Sequence, residues 1–306
     1  MKFSVYQISR KGGREMNEDR LGYTYTREAV LLVLADGMGG HPEGEMAAEI
    51  AVKVFTHEFV SQAHPRLDDP KAFLSKTVLL ANQAIVDYAV QKQMDDNPRT
   101  TLVAAVFQDN QLCAIHSGDS RLYWVRSGHL VERTKDHSYA EQATLLKHAP
   151  AQVNRSVLFT CLGSPMPPIF DVLGPAPLTD GDRILLCSDG LWSVMPDEDV
   201  AGGLHGMPLQ DAVTTLADQA VHLGGRHGDN VSVIALEWET SLDFTSTLVI
   251  QTDDLAGDER YATSLHGPVD EKLLMAFDEE AIEKSIAEIN EAIRRTGRTG
   301  SAKNGD

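Results

Sequence analysis

Five short acidic segments of this sequence stand at turns or at the ends of apolar runs. They are Asn17-Glu18-Asp19, Asp36-Gly37-Met38-Gly39-Gly40-His41, Gly118-Asp119-Ser120-Arg121, Ser188-Asp189-Gly190 and Gly228-Asp229-Asn230. Asp36, Asp119 and Asp189 border runs that should be buried, and Asp229 directly precedes one. A carboxylate at the mouth of a core strand is costly unless something compensates it. A turn or a helix cap accounts for any one of these acids alone. Five together, with an arginine nearby in sequence for only two, point to cations. The donors are all oxygen, and neither His nor Cys stands at ligand spacing, which suits magnesium, manganese or calcium rather than zinc or copper. Two hard cations sharing one carboxylate form a hydrolytic centre. They acidify a water and neutralise charge during in-line displacement at phosphorus, at a separation of about 3.5–4 Å. Arg14, three residues before Asn17, adds a guanidinium that can grip two phosphate oxygens at once. The residues alone therefore indicate a two-metal phosphate hydrolase.

The elements that must position these acids are legible as periodicities. Strand patterns run over Phe3 to Ser9, Leu21 to Thr26 and Val30 to Ala35. Two helical patterns follow, Glu43 to Val60 and Lys71 to Gln91, each with one apolar face. Thr101 to Phe107, Gln111 to Ser117, Arg121 to Arg126 and His129 to Glu132 are strand-like and joined by short turns, which predicts one antiparallel meander. A helix is expected over Ser138 to His148, strands over Arg183 to Ser188 and Val231 to Trp238, and a helix around Leu209 to His222. This order excludes regular βα alternation. It predicts an α+β fold in which antiparallel sheets pack face to face under outer helices. After Trp238 the chain turns polar, so a domain boundary is expected near Thr240. Residues 1–240 would form the catalytic domain, and 241–306 an acidic extension with a helix over about 271–295.

The 306 residues carry a formal net charge of -18, which opposes nucleic-acid binding, where phosphate contacts demand a basic face. Cys113, Cys161 and Cys187 are too scattered for a disulfide framework or a zinc knuckle and read as reduced core thiols. The N-terminus lacks the apolar stretch of a signal peptide, and the longest apolar run is far short of the ~20 residues a bilayer needs. A cytoplasmic protein without membrane insertion is expected.

In their order, the acidic segments resemble the metal-dependent protein phosphatases of type 2C, the PPM family. Gly12-Gly13-Arg14-Glu15-Met16-Asn17-Glu18-Asp19 is similar to the family's first motif, and Asp36 to His41 resembles the form common in bacterial members. Thr100-Thr101, Gly118 to Arg121, Asp136-His137-Ser138, Gly181-Asp182 through Leu191, and Gly228 to Ser232 follow in sequence. The resemblance covers about residues 1 to 240. It implies a sandwich of two antiparallel sheets flanked by helix pairs, and metal-dependent hydrolysis of phosphoserine and phosphothreonine in proteins. It implies that Asp36 bridges two Mg2+ or Mn2+ ions and that the Gly37 carbonyl ligates one of them. Glu18, Asp189 and Asp229 would complete the second ion's protein shell. Asp19 would orient a metal-bound water, Arg14 would hold the substrate phosphate, and Asp119 with Asp189 would take a third, weaker cation. The implied partners are phosphorylated proteins and an antagonistic Ser/Thr kinase, with the chain itself a monomer.

Three departures bear on these expectations. Met38 stands where some members carry a histidine proposed as general acid, leaving His41 or water as the proton source. Ser193 stands where others have an acid for the third cation. The segment Ser138 to Leu162 is short for the flap of bacterial members. Thr100-Thr101 would support the site through hydroxyl hydrogen bonds, Asp136-His137 would form a structural turn, and Arg155 would be a surface residue. A catalytically weak relative that binds phosphoproteins or scaffolds a kinase is the competing reading, and a small-molecule phosphatase a third.

Overall fold

The computed structural model describes residues 1–141 and 157–239 and, for main-chain pairing alone, residues 249–250 and 261–263. Contacts divide the chain into two units, Met1–His266 and Gly267–Asp306, and every described residue lies in the first. The expected tail helix, Arg155 and most of the helix expected over 138–148 lie outside the described residues.

Two antiparallel sheets pack face to face. The first is built from β1 (Lys2–Arg10), β10 (Val231–Glu239), β9 (Arg183–Cys187), β6 (Arg121–Arg126) and β7 (His129–Arg133), adjacent in that order. The second has β2 (Asp19–Tyr25), β3 (Ala29–Asp36), β4 (Leu102–Gln108), β5 (Gln111–Ser117) and β8 (Asp171–Pro177). Beyond residue 240, β11 (Val249–Ile250) adds parallel to β1 and β12 (Tyr261–Thr263) antiparallel to β2, one on each sheet. Alternation assigns the faces. Leu32, Leu34, Val103 and Ala105 of the second sheet meet Leu122, Ile184, Ile234 and Leu236 of the first, with Trp238 stacked on Phe107 at 6.4 Å. Each such buried Leu, Ile, Val or Phe side chain contributes about 1.5–3 kcal/mol.

The outer faces take the helices, as expected. α1 (Gly44–Gln62) and α2 (Pro70–Gln91) pair with each other, and α1 lies on β2 and β3. Pro70 sits at the first turn of α2, and Asp69 accepts from the Lys71 and Ala72 amides, a local reason for the helix to start there. On the other sheet, α3 (Asp189–Trp192), α4 (Asp197–Gly203) and α5 (Leu209–Gly224) bury Leu191, Val200, Leu209, Val213 and Leu216. β3 is apolar at every position before Asp36 because both of its faces are covered.

The expected four-strand meander is corrected. β4 pairs with β5 and β6 with β7, each across a tight turn whose two central residues have positive φ (Asp109-Asn110, Ser127-Gly128). β5 and β6, however, belong to different sheets. Gly118 turns the chain between them at φ +105°, where a Cβ would lie 2.8 Å from the Thr101 Cβ. A three-residue link serves a hairpin or a crossover equally well, so spacing could not choose. β8 carried no signal either: it is an edge strand containing Gly174 and Pro175, and edge strands tolerate both residues.

Candidate active site

The acids gather where the two sheets end together. Asp19 opens β2 and Asp36 closes β3, and the two are cross-strand partners. Asp119 lies in the crossover from β5 to β6, Asp189 begins α3 with only Ser188 between it and β9, and only Asn230 separates Asp229 from β10. A cleft of about 580 Å³ is lined by Arg14, Glu18, Asp36, Gly37, Asp119, Asp189 and Asp229, together with Met16, Met38 and Leu158. Of the predicted site residues only Asp19 is absent from that lining. It is buried next to Asp36, 2% exposed.

The main chain and hydroxyls fix each acid. The Asp36 amide donates to Thr101 Oγ1 at 3.1 Å, and Thr100 Oγ1 donates to the Asp36 carbonyl at 2.9 Å. Ser120 Oγ lies 2.7 Å from Thr101 Oγ1. Ser188 Oγ donates to Asp19 Oδ2 at 2.8 Å. At Gly37 a Cβ would come within 2.6 Å of the Gly44 carbonyl and 2.9 Å of Glu18 Cβ, so glycine is required for α1 to approach the site. Behind Asp119, Trp192 Nε1 donates to the Asp119 carbonyl at 2.9 Å, and the Arg121 guanidinium lies 3.7 Å from the Trp192 ring centre. Arg121 is itself held by Asp136 through two 2.7 Å hydrogen bonds.

Electrostatically, this is a concentration of negative charge in a poorly hydrated place. Burial raises Asp19 to about 6 and Asp119 to about 7. Burial, then the neighbouring Asp19, Asp189 and Asp119, holds Asp36 well above the ordinary carboxylate range. Burial, then Asp119 and Asp229, does the same to Asp189, and partial burial raises Glu18. Asp19 Oδ1 is buried with no hydrogen-bond partner among the described residues. Arg14 is the cation that lines the cleft, and it reaches Asp229 Oδ2 at 2.5 Å. An all-oxygen donor set, carboxyls that repel one another, and an orphaned acceptor beside them fit hard divalent cations.

The other residues singled out from the motifs stand apart from the cleft. His41 Nδ1 lies 2.9 Å from Asp96 Oδ2 and does not line the cleft. His137 stacks on His116 at 4.5 Å and takes the Gly118 amide on Nδ1, so Asp136-His137 is a structural turn. His116, His137 and Asp171 could each offer one metal-ligand atom within 4.8 Å of the others. The rings are only 22° from parallel, however, so their nitrogen lone pairs run side by side rather than converging. His116 also spends Nε2 on the Lys135 carbonyl at 2.8 Å.

Asn230 and Ser188 carry more of the site than their place in the motifs indicated. Asn230 Oδ1 accepts from the Glu18 amide at 2.9 Å, while its Nδ2 donates to the Lys11 and Met16 carbonyls. It thereby sews the Arg14–Glu18 loop to the start of β10. In the sequence each carries no signal beyond standing beside an acid, Ser188 before Asp189 and Asn230 after Asp229.

A sandwich of two sheets with an acidic cleft where they end together is an arrangement shared with solved proteins. Residues 9–223 match the family model described as Protein phosphatase 2C, and the chain belongs to that family. Serine/threonine protein phosphatase PstP of Mycobacterium tuberculosis is 33% identical over 267 residues, covering 82% of this chain and 47% of that protein. The chain thus spans about half the length of this relative. Serine/threonine phosphatase stp of Listeria monocytogenes is 30% identical over 233 residues, covering 73% of this chain and 91% of that protein. The solved catalytic domain of PstP, in complex with two manganese ions, has a TM-score of 0.64 at 30% identity, over 77% of this chain and 97% of that one. Among the described residues no helix is long and apolar enough to cross a membrane.

Proposed function

We propose that this protein hydrolyses phosphoserine and phosphothreonine in other proteins, using two divalent cations, Mg2+ or Mn2+, held in the acidic cleft. The observation that carries the reading is the convergence of Glu18, Asp36, Asp119, Asp189, Asp229 and Arg14 on one cleft. Asp36 would bridge the two cations. Glu18, Asp189, Asp229 and the Gly37 carbonyl would complete their protein shell, and Asp119 with Asp189 would take a third. When bound, the cations supply Lewis acidity and an acidified water. Asp19, whose Oδ2 is held by Ser188, has Oδ1 left over as an acceptor that would orient such a water. Arg14 grips the phosphoryl oxygens. Met38 has no proton to give and His41 is engaged by Asp96, so solvent in the cleft protonates the leaving oxygen.

The catalytic unit in this reading is residues 1–240, with 241–306 an extension. The protein acts as a cytoplasmic monomer opposite a Ser/Thr kinase. The three buried, unpaired cysteines support a reducing compartment. Phosphate release from a phosphothreonine peptide, measured with Mn2+ and with chelator, tests the function. Release that needs Mn2+ and exceeds release from sugar phosphates is expected. No release from folded protein would favour a phosphoprotein-binding scaffold instead.

Arg14 gives a second test. Arg14→Ala is expected to raise KM for the peptide about tenfold, the loss of a charge-assisted phosphate contact. Mn2+ affinity should not fall, because Arg14 and a cation compete for Asp229. Unchanged KM would remove Arg14 from substrate binding.

A further inference from the structure

Arg20 follows Asp19 directly on β2, and its side chain is buried beneath the site rather than lining it. Its Nη1 donates to two carbonyls at once, that of Asn17 at 2.9 Å and that of Asp19 at 2.8 Å. These carbonyls flank Glu18, so a single nitrogen gathers the main chain of the Asn17-Glu18-Asp19 turn. On its other side Arg20 Nε lies 3.9 Å from Glu49 Oε2 of α1, a carboxylate only 2% exposed, which also meets Lys53 Nζ at 3.2 Å.

A buried ion pair of this kind is weak evidence for stability, since desolvation of both charges offsets their attraction. The geometry here is poor as a stabilising pair. Arg20 Nε has no hydrogen-bond partner among the described residues, and 3.9 Å to Glu49 is long. The well-made bonds go instead to the main chain that carries Glu18 and Asp19. Glu49 sits on the helix whose first residue, Gly44, packs against Gly37, so the pair refers the turn to the same helix that abuts the second acidic segment.

We infer that Arg20, anchored by Glu49, is a positioning residue that fixes the Asn17–Asp19 main chain and so aims Glu18 and Asp19 at the bound cations. This rests on the two-cation reading above. It predicts a dependence of metal affinity on a side chain that touches no cation.

The test is calorimetric titration of the full chain with Mn2+, for wild type, Arg20→Met, Arg20→Lys and the double variant Arg20→Met/Glu49→Met. Arg20→Met should weaken Mn2+ binding at least about tenfold, the loss typical of removing an outer-shell partner. The double variant removes Glu49, which Arg20→Met leaves with Lys53 alone, so its melting temperature in chelator should recover toward that of wild type while its Mn2+ affinity stays low. Peptide KM at saturating Mn2+ should stay within about twofold in all variants, because Arg14, not Arg20, meets the phosphate. Arg20→Lys keeps a charge near Glu49, but its ammonium stops one bond short of the position of Nη1 and cannot reach both carbonyls, so it too should bind Mn2+ more weakly; it decides the matter if the methionine variants do not fold. Wild-type Mn2+ affinity in the double variant, or in Arg20→Lys, overturns the assignment and leaves Arg20 as a counter-charge for Glu49. A wild type that binds no Mn2+ overturns it together with the two-cation reading, whereas wild-type binding with unaffected variants overturns the positioning role alone.

Discussion

Asp36→Asn is expected to lower phosphate release from a phosphothreonine peptide at least about a thousandfold, equivalent to about 4 kcal/mol of transition-state stabilisation. Asp36 is the acid on which the charges of Asp19, Asp189, Asp119 and Asp229 all act, which places it at the centre of the cluster. A carboxylate shared between two cations must be the group nearest both of their sites. Asparagine keeps the size and the main-chain bonds to Thr100 and Thr101, so the fold should persist. Asparagine also stays neutral where burial and the neighbouring acids oppose ionisation of Asp36, so the chelated variant should melt no lower than chelated wild type. Retention of more than about a tenth of the activity in folded Asp36→Asn would sink the bridging role.

The second large effect links cation binding to pH. Asp19, at about 6, and Asp119, at about 7, both sit above the ordinary value of 3.8, and Asp36 and Asp189 are held high as well. A carboxyl that titrates higher in the folded chain than in the unfolded chain keeps its proton in the fold. Its contribution to stability is complete below the unfolded value and is lost as pH rises through the folded value. The chelated protein should therefore weaken between about pH 4 and 7, with Asp119 alone corresponding to roughly 4 kcal/mol. Bound cations compensate the ionised carboxylates, so their stabilisation should grow across the same window. The rise in melting temperature on adding Mn2+ should be larger at pH 8 than at pH 5.5, by on the order of 10 °C. Equal rises at the two pH values would mean that these carboxyls do not face the cations.

The acids themselves were legible because each lies in a short contiguous segment whose neighbours announce a strand end. The Asp36 segment shows it best: a solid apolar run stops at a carboxylate followed by glycines. Strands and helices were legible wherever one face or both were buried, as in β3 and α5. What escaped the sequence depends on pairing between distant residues. Asn230 holds Glu18 and Ser188 holds Asp19 across more than a hundred and fifty positions, and an isolated Asn or Ser does not announce its partner. Arg20 stands just ahead of the strand expected from Leu21 and has no role legible in the sequence, because nothing local says that Glu49 waits on α1. The crossover at Gly118 failed for a related reason. Turn residues specify a change of direction, while the choice of sheet is made by which apolar faces find each other.

The pairing of β1 with β10 runs from Lys2 opposite Glu239 to Arg10 opposite Val231, and only the second end reaches the acids. At about 3.4 Å per residue, Lys2 and Glu239 lie roughly 27 Å along the strands from the Arg10–Val231 end. An affinity handle or fluorophore joined ahead of residue 2 therefore attaches at the pole opposite the cleft. Immobilised through that pole, the described strands point their acid-bearing end away from the support.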